Sequence, residues 1–399
     1  MTETSQYRTA VARSGEVDAL RCLAMLGVIA LHAHILPLGW IGVWLFYAIS
    51  GYVVTLSVLE RGDEQSGLRG FGAFMRRRAI RILPVYFGYI ALGLLVGAAL
   101  GSRLDAYSLA SLVLFFNNQA MIAGEARFGG WPGGHLWTLS VEMQFYLVYG
   151  LALCLLPLQR SRALLIAFLL LCPVARLTVA EWLAAREVAP LDAAFAVYAG
   201  SGLHFDIFAM GALLAMAQFQ GLLTRPRART LAALGFVALA LYSLTYIGVN
   251  HFHRHETGIA MLRNVVSGIL IGEHRETLLY SAVGFAMAGL VGLAATRDEL
   301  ARSVLGLAPM QWIGRISYGG YIYHQAALKM ATLLLAQAGV ITRHGSAGAH
   351  LAQFAIGLLI TIAFAWMSYR WFELPASRLF SGPPRRGPAA TAMAGLEAR

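Results

Sequence analysis

Between residues 16 and 371 the chain keeps returning to apolar runs of about 20 residues, the length a helix needs to cross the hydrocarbon core of a bilayer. Such runs read as spans at 16–37, 40–59, 82–101, 136–157, 162–180, 204–220, 229–249, 278–296, 316–337 and 351–371. The expected fold class is therefore all-α, a polytopic membrane helical bundle of about ten transmembrane helices. One apolar stretch, LASLVLFFNNQAMIA at 109–123, is short and broken by Asn117 and Asn118, so a re-entrant or interfacial segment is expected there. Composition agrees. The 399 residues are 58% hydrophobic and 13% charged, with a mean hydropathy of +0.63, more than a soluble domain of this size tolerates on its surface.

The net charge of +11 raises the question of a nucleic-acid partner, but the basic residues gather in short clusters between apolar runs, as in the cytoplasmic loops of membrane proteins. No nucleic acid is expected; the lipid bilayer is. Arg76, Arg77, Arg78 and Arg81, just before the third span, mark the cytoplasmic side. Arg225, Arg227 and Arg229, then Arg297, Arg302 and Arg315, then Arg370, Arg378, Arg385 and Arg386 fall on the same side. Segments 181–203, 250–277 and 338–350 fall outside, although Arg254, Arg263 and Arg275 weaken the rule in the second of them. Both termini are then cytoplasmic, with 1–15 as a polar lead and 377–399 as a Pro- and Ala-rich tail expected to be disordered. The polar lead and the charged first run argue against a cleavable signal peptide. Cys22, Cys154 and Cys172 lie inside apolar runs without metal-ligand spacing, so packing roles are expected, with neither a disulfide framework nor a metal.

The first run, EVDALRCLAMLGVIALHAHILP at 16–37, carries Asp18, Arg21, His32 and His34. Ionisable groups at membrane depth are costly and therefore functional candidates. Arg21 and His32 are eleven residues apart, which brings them within roughly 20° of one helix face and separates them by roughly 16 Å along the axis. One seam of one helix can thus touch both ends of a long, charged ligand. His32 suits a general base, since imidazole titrates near neutrality. His34 faces elsewhere. Asp18 and Arg21 form either a neutralising i,i+3 pair or a carboxylate that holds the arginine toward a phosphate, and the two roles are compatible.

Other spans add candidates. Arg78 and Arg81, three apart at a helix start, are placed to grip a phosphorylated cofactor together. Gly42, Ser50 and Gly51 are small enough for close helix contact or for ligand approach, which makes Ser50 a further cofactor-binding candidate. Glu142, about a third of the way into its span, has to be paired or hydrated, either in a polar site or as a structural partner. His135, after the flexible glycine loop GGWPGGH at 129–135, is placed to reach an acceptor or simply to sit at the interface; His324 lies in an apolar span. Asp206 reads as a helix-bundle hydrogen bonder and Arg370–Glu373 as a structural clasp.

Taken in order, the motifs resemble the acyltransferase-3 family of integral-membrane O-acyltransferases. They are Arg21 and His32 within VDALRCLAMLGVIALHAH, GVWLFYAISGY at 42–52, RRRAIRILPVYF at 76–87, HLWTLSVEMQFYLVY at 135–149, DIFAMGALLA at 206–215, ISYGGYIYH at 316–324 and SYRWFELP at 368–375. Each is weak alone; the ordered set across 16–376 is specific. The resemblance implies a membrane acyltransferase domain over 16–376 in the bacterial cytoplasmic membrane. It implies that an acyl group, acetyl first of all, passes from cytoplasmic acyl-CoA to a hydroxyl of a glycan or glycosylated small molecule. It also implies essential roles for Arg21 and His32. Trp44 stands where many members carry Asp, and His204 near where an Arg often precedes the Asp206 motif; both departures bear on the acceptor. Some members carry an extra esterase-like domain. These residues contain none, so completion of the transfer alone or with a partner is expected.

In the expected mechanism Arg78, Arg81 and Arg21 hold the phosphates of acyl-CoA, His32 deprotonates the acceptor, and Glu142 serves the polar site; an acyl-histidine relay is the variant. The alternative is a secondary transporter that exports a polar or glycosidic solute along the same buried charges, although no inverted repeat is evident.

Overall fold

The computed structural model describes residues 14–62, 66–102, 104–266, 268–269, 275–340 and 346–380, so most of the expected lead and tail lies outside the described residues. Among the described residues the regular structure is entirely helical. The long helices follow in order as α1 (Gly15–His32), α2 (Ile41–Leu59), α3 (Gly67–Ala99), α4 (Trp137–Leu155), α5 (Leu158–Ala184), α6 (Phe205–Phe219), α7 (Arg225–Phe252), α8 (Arg275–Ala295), α9 (Ser317–Gln337) and α10 (Ala347–Ser368). Each coincides with an expected span. Among the described residues seven helical segments are long and apolar enough to cross a membrane, and these contain α2, α3, α4, α5, α7, α8 and α10. The other three depart for visible reasons. α1 carries Glu16, Asp18 and Arg21; α6 has only 15 residues, or about 22 Å of helix; α9 is interrupted by His324, Gln325 and Lys329.

α1 begins at Ser14, whose Oγ accepts the Val17 N–H at 3.2 Å, with Glu16 and Asp18 in the first turn to favour the helix dipole. It then lies against α2 and α9. α6 sits inside the bundle against α2, α5 and α8, while α7 backs α8 and α10 backs α9.

Segment 109–123 does not span. It folds as two short helices, Ala106–Val113 and Asn117–Ile122, separated by a break in which Phe115 takes a φ of 57°. Its polar groups are covered by protein, as depth requires. Gln144 Nε2 donates to the Phe115 carbonyl at 3.0 Å, and Asn118 Nδ2 donates to the Ala199 carbonyl at 3.0 Å.

Four expectations need correction. The arginine cluster stands on α3 itself, which starts at Gly67, because nothing in FGAFMRRRAIRIL breaks a helix. Segment 181–203 is not plain loop: α5 continues to Ala184 and a further helix forms at Pro190–Ala199. Residues 377–380 of the expected disordered tail belong to the helix Leu374–Phe380, which follows a π-helical turn at Tyr369–Glu373. Within that turn Glu373 faces Gly319 of α9 and lies in the field of Arg81, and among the described residues no ion pair joins it to Arg370.

Glycines set how closely the helices approach. α2 and α6 meet reciprocally: a Cβ on Gly51 would collide with the Phe208 carbonyl, and one on Gly211 with the Ala48 carbonyl. Since backbone cannot step aside as a side chain can, Gly211→Val should cost about 1–3 kcal/mol of stability. The check is the thermal midpoint of detergent-purified protein against Gly88→Ala, where an added Cβ meets nothing within 4 Å; equal midpoints would refute the close α2–α6 crossing.

Candidate active site

α1 runs past two cavities. The first, of about 90 Å³, is lined by Arg21 of α1, Ser50 of α2, Arg78 and Arg81 of α3, and Glu142 and Tyr146 of α4. The second, of about 780 Å³, is lined by His32 of α1, His135 before α4, Gln325 of α9 and a wall of aromatic and aliphatic side chains. Val43, Thr138 and Tyr321 line both, so the cavities meet at one waist. Arg21 and His32 thus share a seam yet face different chambers, as their spacing requires.

In the first cavity Asp18 Oδ1 accepts from Arg21 Nη1 at 2.6 Å, and Arg315 Nε lies 3.8 Å from Asp18 Oδ2. The carboxylate therefore both neutralises Arg21 and fixes its direction. Arg78 and Arg81 differ: among the described residues neither has a carboxylate within ion-pair distance. Arg78 is half-buried beside Tyr146 and within the field of Glu142, whereas Arg81 is exposed at the mouth. Glu142 accepts from Ser50 Oγ and from Tyr146 OH, both at 2.5 Å. It belongs with the arginines and does not line the His32 cavity, so the structure does not bring it to the histidine. Arg76 and Arg77 line neither cavity.

The second cavity brings His32 and His135 together, and His324, which does not line it, packs against both rings. The His32 and His324 rings have centroids 5.1 Å apart, and those of His324 and His135 are 4.8 Å apart. His135 Nε2–H donates to the Ile322 carbonyl at 3.0 Å, and His324 Nδ1–H donates to the Tyr321 carbonyl at 2.6 Å. These bonds set the tautomers and leave His135 Nδ1 and His324 Nε2 as the acceptor nitrogens. Gln325 Nε2–H donates a long 3.4 Å hydrogen bond to His32 Nε2, so this nitrogen is the acceptor atom of the ring, and both groups line the cavity. His32 is half-buried, the other two fully buried, and His34 points away with a φ of 61°. The glycine loop that carries His135 is held rather than free. Tyr89 OH donates to the Pro132 carbonyl at 2.8 Å, Lys329 Nζ to the Gly130 carbonyl at 2.6 Å, and Trp131 lies on Gly93.

At the waist Thr138 Oγ1 and Tyr321 OH are 2.7 Å apart and lie 3.1 and 3.3 Å from the His135 carbonyl oxygen; with one proton each, one hydroxyl donates to the carbonyl and the other to its partner hydroxyl. Tyr47 OH donates to the Thr138 carbonyl at 3.2 Å. Thr138, Tyr321 and Gln325 line the cavities without having been singled out in the sequence; Gln325, next to His324 on an apolar span, is the readable signal.

Deeper in the bundle Arg176 was also missed, although an arginine within LLLCPVARLTVAEW is a signal of the same kind as Asp206. The two form a fully buried bidentate pair at 3.1 and 3.0 Å. Arg176 also donates to the Leu203 carbonyl at 2.6 Å and to Ser281 Oγ at 2.5 Å, and Ser281 Oγ donates to Asp206 Oδ2 at 2.7 Å. Asp206 is thus an ion-pair partner, which is more than the hydrogen bonder expected. Trp44 and His204, the two departures from the family pattern, meet with ring centroids 5.0 Å apart and pack on Tyr280.

Comparison with known proteins places these features. The acyltransferase domain family model matches residues 14–370. The peptidoglycan O-acetyltransferase OatA of Listeria monocytogenes is 23% identical over 389 residues, which are 94% of this chain and 57% of that protein. The O-acetyltransferase OatA of Staphylococcus aureus is 23% identical over 372 residues, which are 90% of this chain and 56% of that one. BcsY of Komagataeibacter xylinus, whose name describes a candidate membrane-bound transacylase, is 34% identical over 163 residues, 39% of this chain and 41% of that one. The chain spans about half the length of the curated relatives it matches. No solved structure matches it.

The buried pair carries its own prediction. Arg176→Met strands a carboxylate in the core and should cost about 3–5 kcal/mol, whereas Arg176→Met combined with Asp206→Leu should lose much less. Thermal midpoints of the two variants decide it; equal losses would show that the arginine acts through its other hydrogen bonds.

Proposed function

The chain belongs to the acyltransferase domain family, and we propose that it is a multi-pass membrane O-acyltransferase. It moves an acetyl group from cytoplasmic acyl-CoA to a hydroxyl of a glycan or glycosylated small molecule. The observation that carries this reading is the meeting of an arginine-lined cavity and a histidine-lined cavity at one waist, with α1 contributing Arg21 to the first and His32 to the second. The relatives named as O-acetyltransferases support oxygen as the acceptor atom and acetyl as the group.

Arg78 and Arg81, with no carboxylate to hold them, suit the phosphates of acyl-CoA, since guanidinium matches phosphate geometry with paired hydrogen bonds. Arg81 at the mouth meets the nucleotide end first; Arg21, braced by Asp18, stands further along the path. Glu142, tied to Ser50 and Tyr146, keeps the field around Arg78 from repelling itself. The narrow first cavity suits a single extended pantetheine arm, which brings the thioester to the waist. There His32 takes the proton of the acceptor hydroxyl, whose oxygen attacks the thioester carbonyl. The tetrahedral oxygen finds donors in the Thr138 and Tyr321 hydroxyls. Collapse breaks the C–S bond; CoA leaves as a thiolate and takes up the proton that His32 received. The balance is an ester plus free CoA. On this topology the Arg21 end is cytoplasmic and the His32 end faces outward, consistent with the arginines near the start of α1.

His32→Ala should lower acyl transfer by at least about 100-fold, the lower end of what a general base supplies. The measurement is acceptor-dependent thiol release from acetyl-CoA in proteoliposomes, with thermal midpoints matched to the parent; near-normal turnover would end the proposal. Arg78→Gln and Arg81→Gln should raise the KM for acetyl-CoA about tenfold or more with a smaller change in kcat, as expected for lost charge-assisted hydrogen bonds. An unchanged KM would reduce both to topology anchors.

A further inference from the structure

His324 packs against the histidines of the second cavity without lining it, so it is placed to act on a substrate only through a neighbour. It is fully buried on α9, and its ring is held on three sides. Its Nδ1–H is spent on the Tyr321 carbonyl at 2.6 Å, one turn back along the same helix. The His135 ring lies edge to face against it, with centroids 4.8 Å apart and planes at 74°, and the Tyr321 ring lies at 5.5 Å. Nε2, across the ring from Nδ1, therefore faces away from that carbonyl, and among the described residues no donor reaches it. A buried acceptor without a donor has given up its water for nothing, a cost that an apolar packing residue would avoid.

The two neighbouring histidines decide which donor His324 can take. His135 has none to offer: its Nε2–H is committed to the Ile322 carbonyl at 3.0 Å, and its Nδ1 is an acceptor, as Nε2 of His324 is. His32 does have one. Its Nε2 accepts from Gln325, so in the neutral ring the proton sits on Nδ1. Among the described residues that N–H has no hydrogen-bond partner. The His32 and His324 centroids are 5.1 Å apart, with planes at 37°. Two imidazoles joined by one N–H···N bond of about 3 Å stand about that far apart, so a turn of the His32 ring makes the bond without moving either helix. The 3.4 Å bond from Gln325 is long enough to resist that turn little and to yield Nε2 to an incoming hydroxyl. Building on the acyltransferase reading above, we propose that His324 is the positioning residue of His32: with the acceptor bound, His324 Nε2 takes the Nδ1–H of His32, which aims His32 Nε2 at the acceptor hydroxyl and stabilises the imidazolium that forms. A chain then runs from the Tyr321 carbonyl through His324 and His32 to the hydroxyl, a base oriented by a third group. The proton taken from the hydroxyl stays on His32 Nε2 until the CoA thiolate removes it, and His324 remains neutral throughout. A carboxylate in its place would orient the base equally well but would be an unpaired buried charge whenever the site is empty.

The test compares three substitutions in the full-length protein. His324→Gln puts a side-chain oxygen close to where Nε2 stands, His324→Asn reaches only to where Nδ1 stands, and His324→Phe keeps a ring with neither nitrogen. Each is assayed in proteoliposomes by thiol release from acetyl-CoA and by acetylation of the methyl glycosides of glucose, galactose, mannose and N-acetylglucosamine. His324→Asn and His324→Phe should lower kcat about tenfold to 100-fold, the worth of a hydrogen bond to a charged group, while KM for acetyl-CoA stays within about twofold. His324→Gln should run about tenfold faster than His324→Asn. In a His32→Ala background none of the three should cost more than about a further twofold, because the interaction they remove is already gone. Thermal midpoints identify a variant that fails to fold, and Gln against Asn decides without Phe. Equal losses in Gln and Asn, near-parental kcat in a folded His324→Phe, or a further tenfold loss in the His32→Ala background overturns the positioning role and leaves the acyltransferase reading standing. Parent protein that releases no thiol and modifies no member of the panel overturns both.

Discussion

A charge buried among lipid-facing helices persists only where something compensates it, and this requirement sorts the ionisable residues of the bundle into two kinds. Arg176 is closed: two carboxylate contacts, two carbonyls and a hydroxyl hold its Nη1 and Nη2, and Asp206 is held in turn by Ser281. Both residues are fully buried and line neither cavity, so the pair ties α5 to α6 and α8. Arg78 and Arg81 are open, facing a cavity without a carboxylate in ion-pair reach among the described residues. Arg21 is intermediate, paired on one side by Asp18 and still lining the cavity. The closed network is architecture and the open one is the candidate site, a distinction that depends on partners rather than on residue type.

α1 connects the open groups because it is gripped from several directions at short range. A Cβ on Gly42 of α2 would strike the Ala24 carbonyl, one on Gly314 the Asp18 carbonyl, and one on Gly320 of α9 the Met25 sulfur. Glycine at these contacts lets neighbouring backbone come within atomic contact of α1, which fixes its rotation and depth together. Since a helix rotates about 100° and rises about 1.5 Å per residue, a one-residue slip would turn Arg21 and His32 out of their chambers at the same time. The two chambers are therefore mechanically one device.

How far this was legible in the sequence follows from what each feature depends on. Among the described residues, seven of the ten long helices follow from bilayer thickness acting on local hydropathy, and the positions of all ten could be read, although α3 begins well before its expected span. The shared seam of Arg21 and His32 needs only helix geometry, and it holds. What could not be read depends on contacts distant in sequence. Arg176 and Asp206 are 30 residues apart on different helices, and no local rule pairs them. Tyr198 and Phe195 reach the second cavity from a helix inside a segment expected to be loop. Glu142 reads from sequence as either part of a polar site or a structural partner, and only its hydroxyl donors on α2 and α4 place it with the arginines. The glycine loop before His135 looked flexible because glycine permits motion; Tyr89, Lys329 and Trp131 remove it.

Under the proposed reaction the waist has to be both sealed and passable. A continuous channel from a charged cleft to an outer chamber would leak ions, so the bundle needs a closure that the donor can still open. Apolar packing would seal but would offer nothing to an incoming thioester carbonyl. Charged groups would favour the carbonyl but could not be buried without partners. The closure is instead made of the Thr138 and Tyr321 hydroxyls, bonded to each other and to the His135 carbonyl. Neutral hydroxyls satisfy one another at small desolvation cost when the path is empty. Because each hydroxyl can rotate, the same donors can turn to a substrate oxygen without leaving a buried charge exposed. Under the proposed reaction, the groups that close the path are those that stabilise the oxyanion, so the barrier to leakage and the catalytic surface can be the same few atoms.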